Sequence, residues 1–113
     1  MASEIYWLAR IKYREAWWQL SAEEQKSIMD EIRKILEKLA VKRVARFAAG
    51  QSILIFLSVY PDMESYYKYQ MLVGPQGLNV QRYFDFDVTL GSEAPPQILP
   101  GLGFSAQDDL PLV

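Results

Sequence analysis

The segment from Ile53 to Tyr60 is apolar on both of the faces that an extended strand would present. Side chains alternate across a strand. The two faces would be Ile53, Ile55, Leu57 and Val59 on one side, and Leu54, Phe56, Ser58 and Tyr60 on the other. A strand that is apolar on both sides belongs in the middle of a sheet with both faces covered. The protein must therefore place a layer of structure on each side of this strand.

The segments around this strand alternate between the periods of strands and helices. Strand patterns occupy residues 4–14, 42–49 and 79–90, and helical patterns occupy residues 22–39 and 62–73. The resulting β-α-β-β-α-β order is that of a ferredoxin-like α+β fold. It predicts one domain over residues 1–90, in which a four-stranded antiparallel sheet carries both helices on one face. The first and third strands would be central.

Local signals set the ends of the two helices. Ser21 and Glu24 have the spacing of a capping box, in which each side chain binds the other residue's backbone N–H. Asp62 is a good N-cap for the second helix, and Gly74 followed by Pro75 is typical of its end. These signals predict where both helices begin and where the second one ends.

Residues 91–113 differ in composition from the rest of the chain. They contain four of the six prolines and three of the six glycines, and no strand or helix pattern. Such a segment cannot build a core by itself. We expect it to form a tail that docks on its own domain or on a partner subunit.

Two missing residue types narrow the possible chemistry. The chain has no cysteine and no histidine, which excludes disulfides, thiolate metal sites, Ser-His-Asp or Cys-His catalysis and haem ligation by histidine. No metal site or catalytic residue is predicted, and no cofactor is expected. A third alternative is haem that is ligated by tyrosine or bound loosely. Whether the protein is an enzyme stays open.

The net charge of −2 gives no basis for binding nucleic acid, which requires clustered Lys and Arg. The N-terminal Met1-Ala-Ser-Glu lacks the features of a signal peptide. The apolar run Ile53–Leu57 is too short to span a bilayer. We expect a cytoplasmic protein without nucleic-acid or membrane partners.

With both helices on one face, the other face of the sheet would be exposed and apolar. Candidate interface residues there are Tyr6, Leu8, Phe56 and Tyr60, or their alternates in the strands. A large apolar patch usually marks an interface. Two sheets packed face to face in a symmetric homodimer would cover it.

A resemblance to known proteins begins with Tyr6-Trp7-Leu8 and continues with Trp17-Trp18-Gln-Leu20 before the capped helix. On these residues and the element order, residues 4–90 resemble the dimeric α+β barrel superfamily, and within it one half of the chlorite dismutase-like haem proteins. The resemblance implies a homodimer. The enzymes of that group have two such halves and a haem-ligating histidine, so no haem-ligand role passes to any residue here.

Four polar residues in the strand patterns are candidates for a ligand pocket: Arg10, Tyr13, Arg46 and Tyr83. Arginine can bind a carboxylate with two hydrogen bonds, although a buried arginine more often has a carboxylate partner within the protein. Asp85 and Asp87 would lie opposite the basic residues of the first strand, where they are better explained as ion-pair partners than as a catalytic pair.

Two functions are consistent with these features. The first is a homodimeric protein that binds a small apolar or aromatic ligand in a pocket lined by Arg and Tyr. The alternative is a non-catalytic assembly or interaction module whose tail is a docking arm. A cavity of roughly 300 Å³ or more with polar groups in its wall would favour the first.

Overall fold

In the computed structural model, which describes residues 4–92, the chain forms four strands and three helices. The strands are β1 (Ile5–Tyr13), β2 (Lys42–Ala48), β3 (Ile53–Tyr60) and β4 (Phe84–Gly91). The helices are α1 (Glu15–Trp18), α2 (Ala22–Lys38) and α3 (Met63–Val73). Of the expected tail, Gly91 ends β4, and residues 93–113 lie outside the described residues.

The four strands form one antiparallel sheet in the order β2-β3-β1-β4. The predicted ferredoxin-like α+β arrangement, with β1 and β3 at the centre, is therefore confirmed. The helices pack on one face of the sheet. No helix in residues 4–92 is long and apolar enough to cross a membrane.

The predicted helix caps are present in the structure. Ser21 Oγ accepts a hydrogen bond from the Glu24 backbone N–H at 3.1 Å, and Glu24 Oε1 accepts one from the Ser21 N–H at 3.0 Å. Asp62 Oδ1 accepts a hydrogen bond from the Ser65 N–H at 2.7 Å. These contacts satisfy N–H groups that have no partner within the first turn of a helix.

The prediction that the last strand begins near residue 79 is wrong. Asn79 has a left-handed backbone with φ of 54°, and a 3-10 turn at Val80–Arg82 follows before β4 begins at Phe84. Asn adopts this conformation more readily than most residues, whereas every residue of a regular strand has a negative φ. Val80 packs in the core as part of the turn.

The register of the sheet decides which residues of β3 face the helices. Trp7 lies opposite Ser58 and Ala9 opposite Phe56, and Trp7, Ala9 and Ser58 are buried. Tyr60 lies on the same side and is fully buried. Phe56 and Tyr60 were expected on the uncovered face, and this placement is corrected because the even-numbered residues of β3 face the helices.

The opposite side of the sheet is called the open face. By register, its members include Tyr6, Leu8, Arg10, Lys12, Lys42, Ala45, Phe47, Ile53, Ile55, Leu57, Val59, Asp85, Asp87 and Thr89. Leu8 is 46% exposed and Phe47 is 54% exposed. Tyr6 and Leu8 thus lie where the sequence placed them, and the alternates Ile55 and Leu57 take the places expected for Phe56 and Tyr60.

Aromatic side chains make up much of the core. Trp7 packs edge-on against Tyr60 and Tyr69, each with ring centroids 6.3 Å apart. At the other end of the sheet Trp17 is buried against Phe84, with centroids 5.0 Å apart, whereas Trp18 is 54% exposed. One tryptophan of the pair therefore points inward and one outward.

Candidate functional site

A cavity of about 550 Å³ lies between the helix-facing side of the sheet and α2. Its sheet wall includes Trp7, Ile11, Leu54, Phe56 and Phe84, and its helix wall includes Met29, Ile32 and Leu36. No residue of α2 is fully buried, so the apolar stripe of this helix covers the sheet incompletely. The volume lies within the range of small-molecule sites in proteins.

Arg43 and Arg46 of β2 form a basic group in the cavity wall. Arg43 lies opposite Ser58 and Arg46 lies opposite Phe56, so both project toward the helix side. In a regular strand, residues three apart point to opposite faces. A register shift between Arg43 and Ala45 adds one residue to β2 and brings the two arginines to the same face.

The side chain of Arg43 is held by two contacts. Its Nε donates a hydrogen bond to Ser58 Oγ at 2.9 Å, and its guanidinium carbon lies 4.1 Å from the ring centroid of Phe56. A guanidinium over an aromatic face is attracted by the ring quadrupole. Partial desolvation, and secondly the like charge of Arg46, lower the pKa of Arg43 below its usual value.

The helix wall carries one carboxylate, that of Asp30. Its oxygens bind Lys26 Nζ at 2.7 Å and Arg33 Nη2 at 3.1 Å. The hydrogen bond from Lys26 is the largest cause of a lowered pKa at Asp30. This carboxylate is therefore neutralised by cations of its own helix.

Tyr13 and Tyr69 also line the cavity. Burial raises the pKa of Tyr13, against the opposing charge of Arg46, and burial raises the pKa of Tyr69 to about 12. Both phenols are therefore neutral at pH 7. Behind Tyr69, the Tyr60 hydroxyl is buried without a hydrogen-bond partner in the described part of the chain, as is Nε1 of Trp7.

The structure brings two of the four predicted ligand residues, Tyr13 and Arg46, to the cavity. Arg10 lies on the open face opposite Asp87, on the far side of the sheet. Tyr83 is buried at the end of the 3-10 turn, 6.1 Å from Trp17 between ring centroids, and does not line the cavity. The expectation of one pocket containing all four is corrected.

Two of the predicted interface residues, Phe56 and Tyr60, belong to the cavity side of the sheet, and Phe56 lines the cavity itself. Sequence reasoning missed Arg43 and Ser58 as site residues. Strict alternation assigned Arg43 and Arg46 to opposite faces, and no sequence signal marked the register shift. A sequence signal did exist for Ser58, because it interrupts a strand, Ile53–Tyr60, that is otherwise apolar on both faces.

The acidic residues of β4 lie opposite basic residues of β1, as expected from the sequence. Arg10 lies opposite Asp87 and Lys12 opposite Asp85 in the β1–β4 register. Arg14 Nη2 also forms an ion pair with Asp85 Oδ1 at 2.7 Å. Within residues 4–92, no group of three or more acidic side chains is placed to hold a metal ion.

The strand order, the helices on one face and the cavity beneath α2 together define the architecture. The chain has the ferredoxin-like α+β fold. The solved structure of SnoaB, a cofactor-independent oxygenase from Streptomyces nogalater, matches it with a TM-score of 0.54 at 11% sequence identity. The match covers 83% of this chain and 96% of SnoaB, and at this identity it shows the fold alone. No protein-family model and no curated protein matches the sequence.

Proposed function

We propose that this protein binds a small apolar or aromatic molecule in the cavity between the sheet and α2. The observation that carries the proposal is the cavity itself, about 550 Å³ with a largely apolar wall and with Arg43, Arg46 and Tyr13 as polar groups. Apolar walls with a few polar groups are typical of ligand sites. The same fold in SnoaB belongs to an oxygenase, so the architecture is compatible with small-molecule chemistry.

A fluorescent probe tests this proposal. N-phenyl-1-naphthylamine is neutral, aromatic and small enough for the cavity, and its emission rises in apolar surroundings. We expect saturable binding at micromolar concentrations. Leu36→Trp, which fills the cavity from α2, should weaken binding at least about tenfold. Ser27→Trp, at an exposed position of the same helix, should leave it unchanged. Absence of saturable binding, or equal binding by Leu36→Trp, would contradict the proposal.

The alternative function, a non-catalytic assembly module, is less well supported. A packed, dry core between two sheets would favour it, whereas the feature that the structure describes is a cavity on the helix side of this sheet, with polar groups in its wall. The open face nevertheless supports assembly as a second property of the same protein.

We propose that the open face is covered by a second copy of this chain. Leu8 and Phe47 are about half exposed there, and Ile55 and Leu57 lie between them in the sheet. Exposed apolar patches of this kind mark interfaces. The proposed homodimer would pack the two sheets face to face, which is the arrangement that a two-fold axis generates from one self-complementary surface.

Sedimentation equilibrium tests the homodimer. The wild-type protein should be a dimer at micromolar concentration, and Leu8→Arg should be a monomer because it places a charge in the apolar patch. Met71→Arg is the matched control, since Met71 is 75% exposed on α3, away from the open face. A monomeric wild type, or a dimeric Leu8→Arg variant, would refute the proposal.

The relationship to chlorite dismutase-like proteins is also a proposal, supported by Trp7 and the Trp17-Trp18 pair. The donor groups of the cavity do not fit haem, because the sequence has no histidine and the pKa values of Tyr13 and Tyr69 are raised. A raised pKa disfavours the phenolate that would ligate iron. Titration with haemin should give no shift of the Soret band. A Soret shift in the wild-type protein that is absent from Tyr13→Phe or Tyr69→Phe would contradict the conclusion that the cavity does not fit haem.

A further inference from the structure

Of the three arginines that line the cavity, Arg33 forms ion pairs, whereas Arg43 and Arg46 have no carboxylate partner within residues 4–92. Ion pairs in residues 4–92 involve Arg14, Lys26, Arg33, Lys34 and Lys68. The carboxylate that lines the same cavity, Asp30, is held by Lys26 and Arg33. The cavity wall therefore has two positive charges that the described residues do not neutralise.

The two guanidinium groups lie close enough to repel each other. The charge of Arg46 contributes to the lowered pKa of Arg43, after the effect of desolvation. Both residues are exposed on the edge strand, but the guanidinium of Arg43 is partly desolvated. A like charge beside a partly desolvated cation is unfavourable, and a bound anion would relieve this repulsion. The register shift in β2 is what places the second arginine on this wall.

The side chain of Arg43 is already held in one orientation in which it can bind a ligand. Its Nε is occupied by Ser58 and its plane rests on Phe56. The terminal amino groups of this guanidinium have no hydrogen-bond partner in the described part of the chain, and they are strong donors to carboxylates. Because the contacts with Ser58 and Phe56 already restrict the side chain, little further rotamer freedom is lost when a ligand binds.

We propose that the ligand of this cavity is an organic anion, an aromatic or apolar body with a single carboxylate that binds to Arg43 and Arg46. The inference rests on the proposed function, which it narrows from an apolar ligand to an anionic one. The apolar body would occupy the space between Trp7, Ile11 and Leu36. The carboxylate would lie toward β2, the edge strand that carries both arginines.

Two matched dyes test this inference on the full chain. The compound 8-anilinonaphthalene-1-sulfonate has the skeleton of N-phenyl-1-naphthylamine with one added anionic group. If the arginines bind an anion, wild-type protein should bind the sulfonate about tenfold more tightly than the neutral dye. Naphthalene-2-carboxylate should displace the sulfonate dye better than the isosteric neutral naphthalene-2-carboxamide, which extends the result to carboxylates.

Substitutions of the two arginines test whether these residues cause the preference for the sulfonate dye over the neutral dye. Arg43→Gln and Arg46→Gln should each lower the ratio of the affinity for the sulfonate to the affinity for the neutral dye about tenfold. Lys38→Gln removes an exposed positive charge at the end of α2 and should change neither affinity. Near-UV circular dichroism identifies any variant that has lost its native packing, and the wild-type comparison does not depend on the variants.

The outcomes separate the two proposals. If neither dye binds, the proposed small-molecule function fails. If both dyes bind wild-type protein equally, or if neither arginine variant changes their ratio, the anionic ligand is refuted while the small-molecule function stands. Displacement by the amide as strongly as by the carboxylate would equally overturn the carboxylate assignment.

Discussion

Arg43 of β2 donates a hydrogen bond from Nε to Ser58 Oγ of β3, at a distance of 2.9 Å. Ser58 is 1% exposed, and among residues 4–92 it is the only residue with a buried polar side chain apart from tyrosine and tryptophan. The bond joins neighbouring strands at the wall of the cavity. It also fixes the direction from which the guanidinium approaches a ligand.

Removing this bond should weaken anion binding without removing the charge. For Ser58→Ala we expect the affinity for 8-anilinonaphthalene-1-sulfonate to fall about threefold, less than for Arg43→Gln, because the freed guanidinium loses its preferred orientation. Affinity for the neutral dye should stay the same. Fluorescence titration measures both, and an unchanged sulfonate affinity would show that Ser58 does not position Arg43.

The buried hydroxyl of Tyr60 allows the free-energy cost of an unpaired polar group to be measured. Among residues 4–92 it has no hydrogen-bond partner, although it is buried, whereas the hydroxyl of Tyr66 accepts a hydrogen bond from Gln70 Nε2 at 2.6 Å. An unpaired buried polar group costs roughly 1–3 kcal/mol. Tyr60→Phe should therefore leave the free energy of unfolding unchanged or raise it by about 1 kcal/mol, as measured by urea denaturation.

Tyr66→Phe is the control for this prediction. It removes the same atom but also breaks a hydrogen bond, so it should lower the free energy of unfolding by about 1 kcal/mol. A comparable loss in Tyr60→Phe would show that the hydroxyl of Tyr60 has a partner in solution.

The two adjacent tryptophans should differ strongly in their contribution to stability. Trp17 is 5% exposed and packs against Tyr83 and Phe84, whereas Trp18 is 54% exposed and stacks on Tyr13. Trp17→Ala should cost about 3–5 kcal/mol, a large share of the stability of a domain of this size. Trp18→Ala should cost about 1 kcal/mol. Equal effects on thermal unfolding would contradict this arrangement.

The N-cap of α3 predicts a pH dependence of stability. The hydrogen bond from the Ser65 backbone N–H lowers the pKa of the Asp62 carboxyl below its usual value. A group with a lowered pKa in the folded state stabilises the protein above its unfolded pKa, and this contribution is lost as the pH falls through the folded pKa. The contribution of Asp62 should therefore be complete above about pH 5 and decline below about pH 4.

Asp62→Asn isolates this effect, because Asn is also a good N-cap but has no carboxyl to titrate. Urea denaturation at several pH values should show the wild type losing its advantage over Asp62→Asn as the solution is acidified. A difference between the two that stays constant from pH 7 to pH 3 would contradict the assignment of the cap.

Local sequence determined the architecture of this protein. The capping box at Ser21, the N-cap at Asp62 and the two-faced strand at Ile53–Tyr60 act over a few residues, and each predicted its element correctly. The β-α-β-β-α-β order of the elements then predicted a ferredoxin-like sheet, and this topology places the first and third strands at the centre. The near-complete absence of polar residues in β3 follows from that central position.

Only the tertiary structure decided which side chains meet in the cavity. The face assignment of β3 depends on its register with β1, and a shift of one residue moves every side chain to the other face. The pairing of Arg43 with Arg46 depends on an irregularity in β2 that alternation cannot reveal. Likewise, the left-handed φ of Asn79 leads into a 3-10 turn, where the sequence pattern had predicted the start of the last strand. Periodicity in the sequence thus specifies elements, whereas register and bulges, which depend on contacts between distant segments, specify the site.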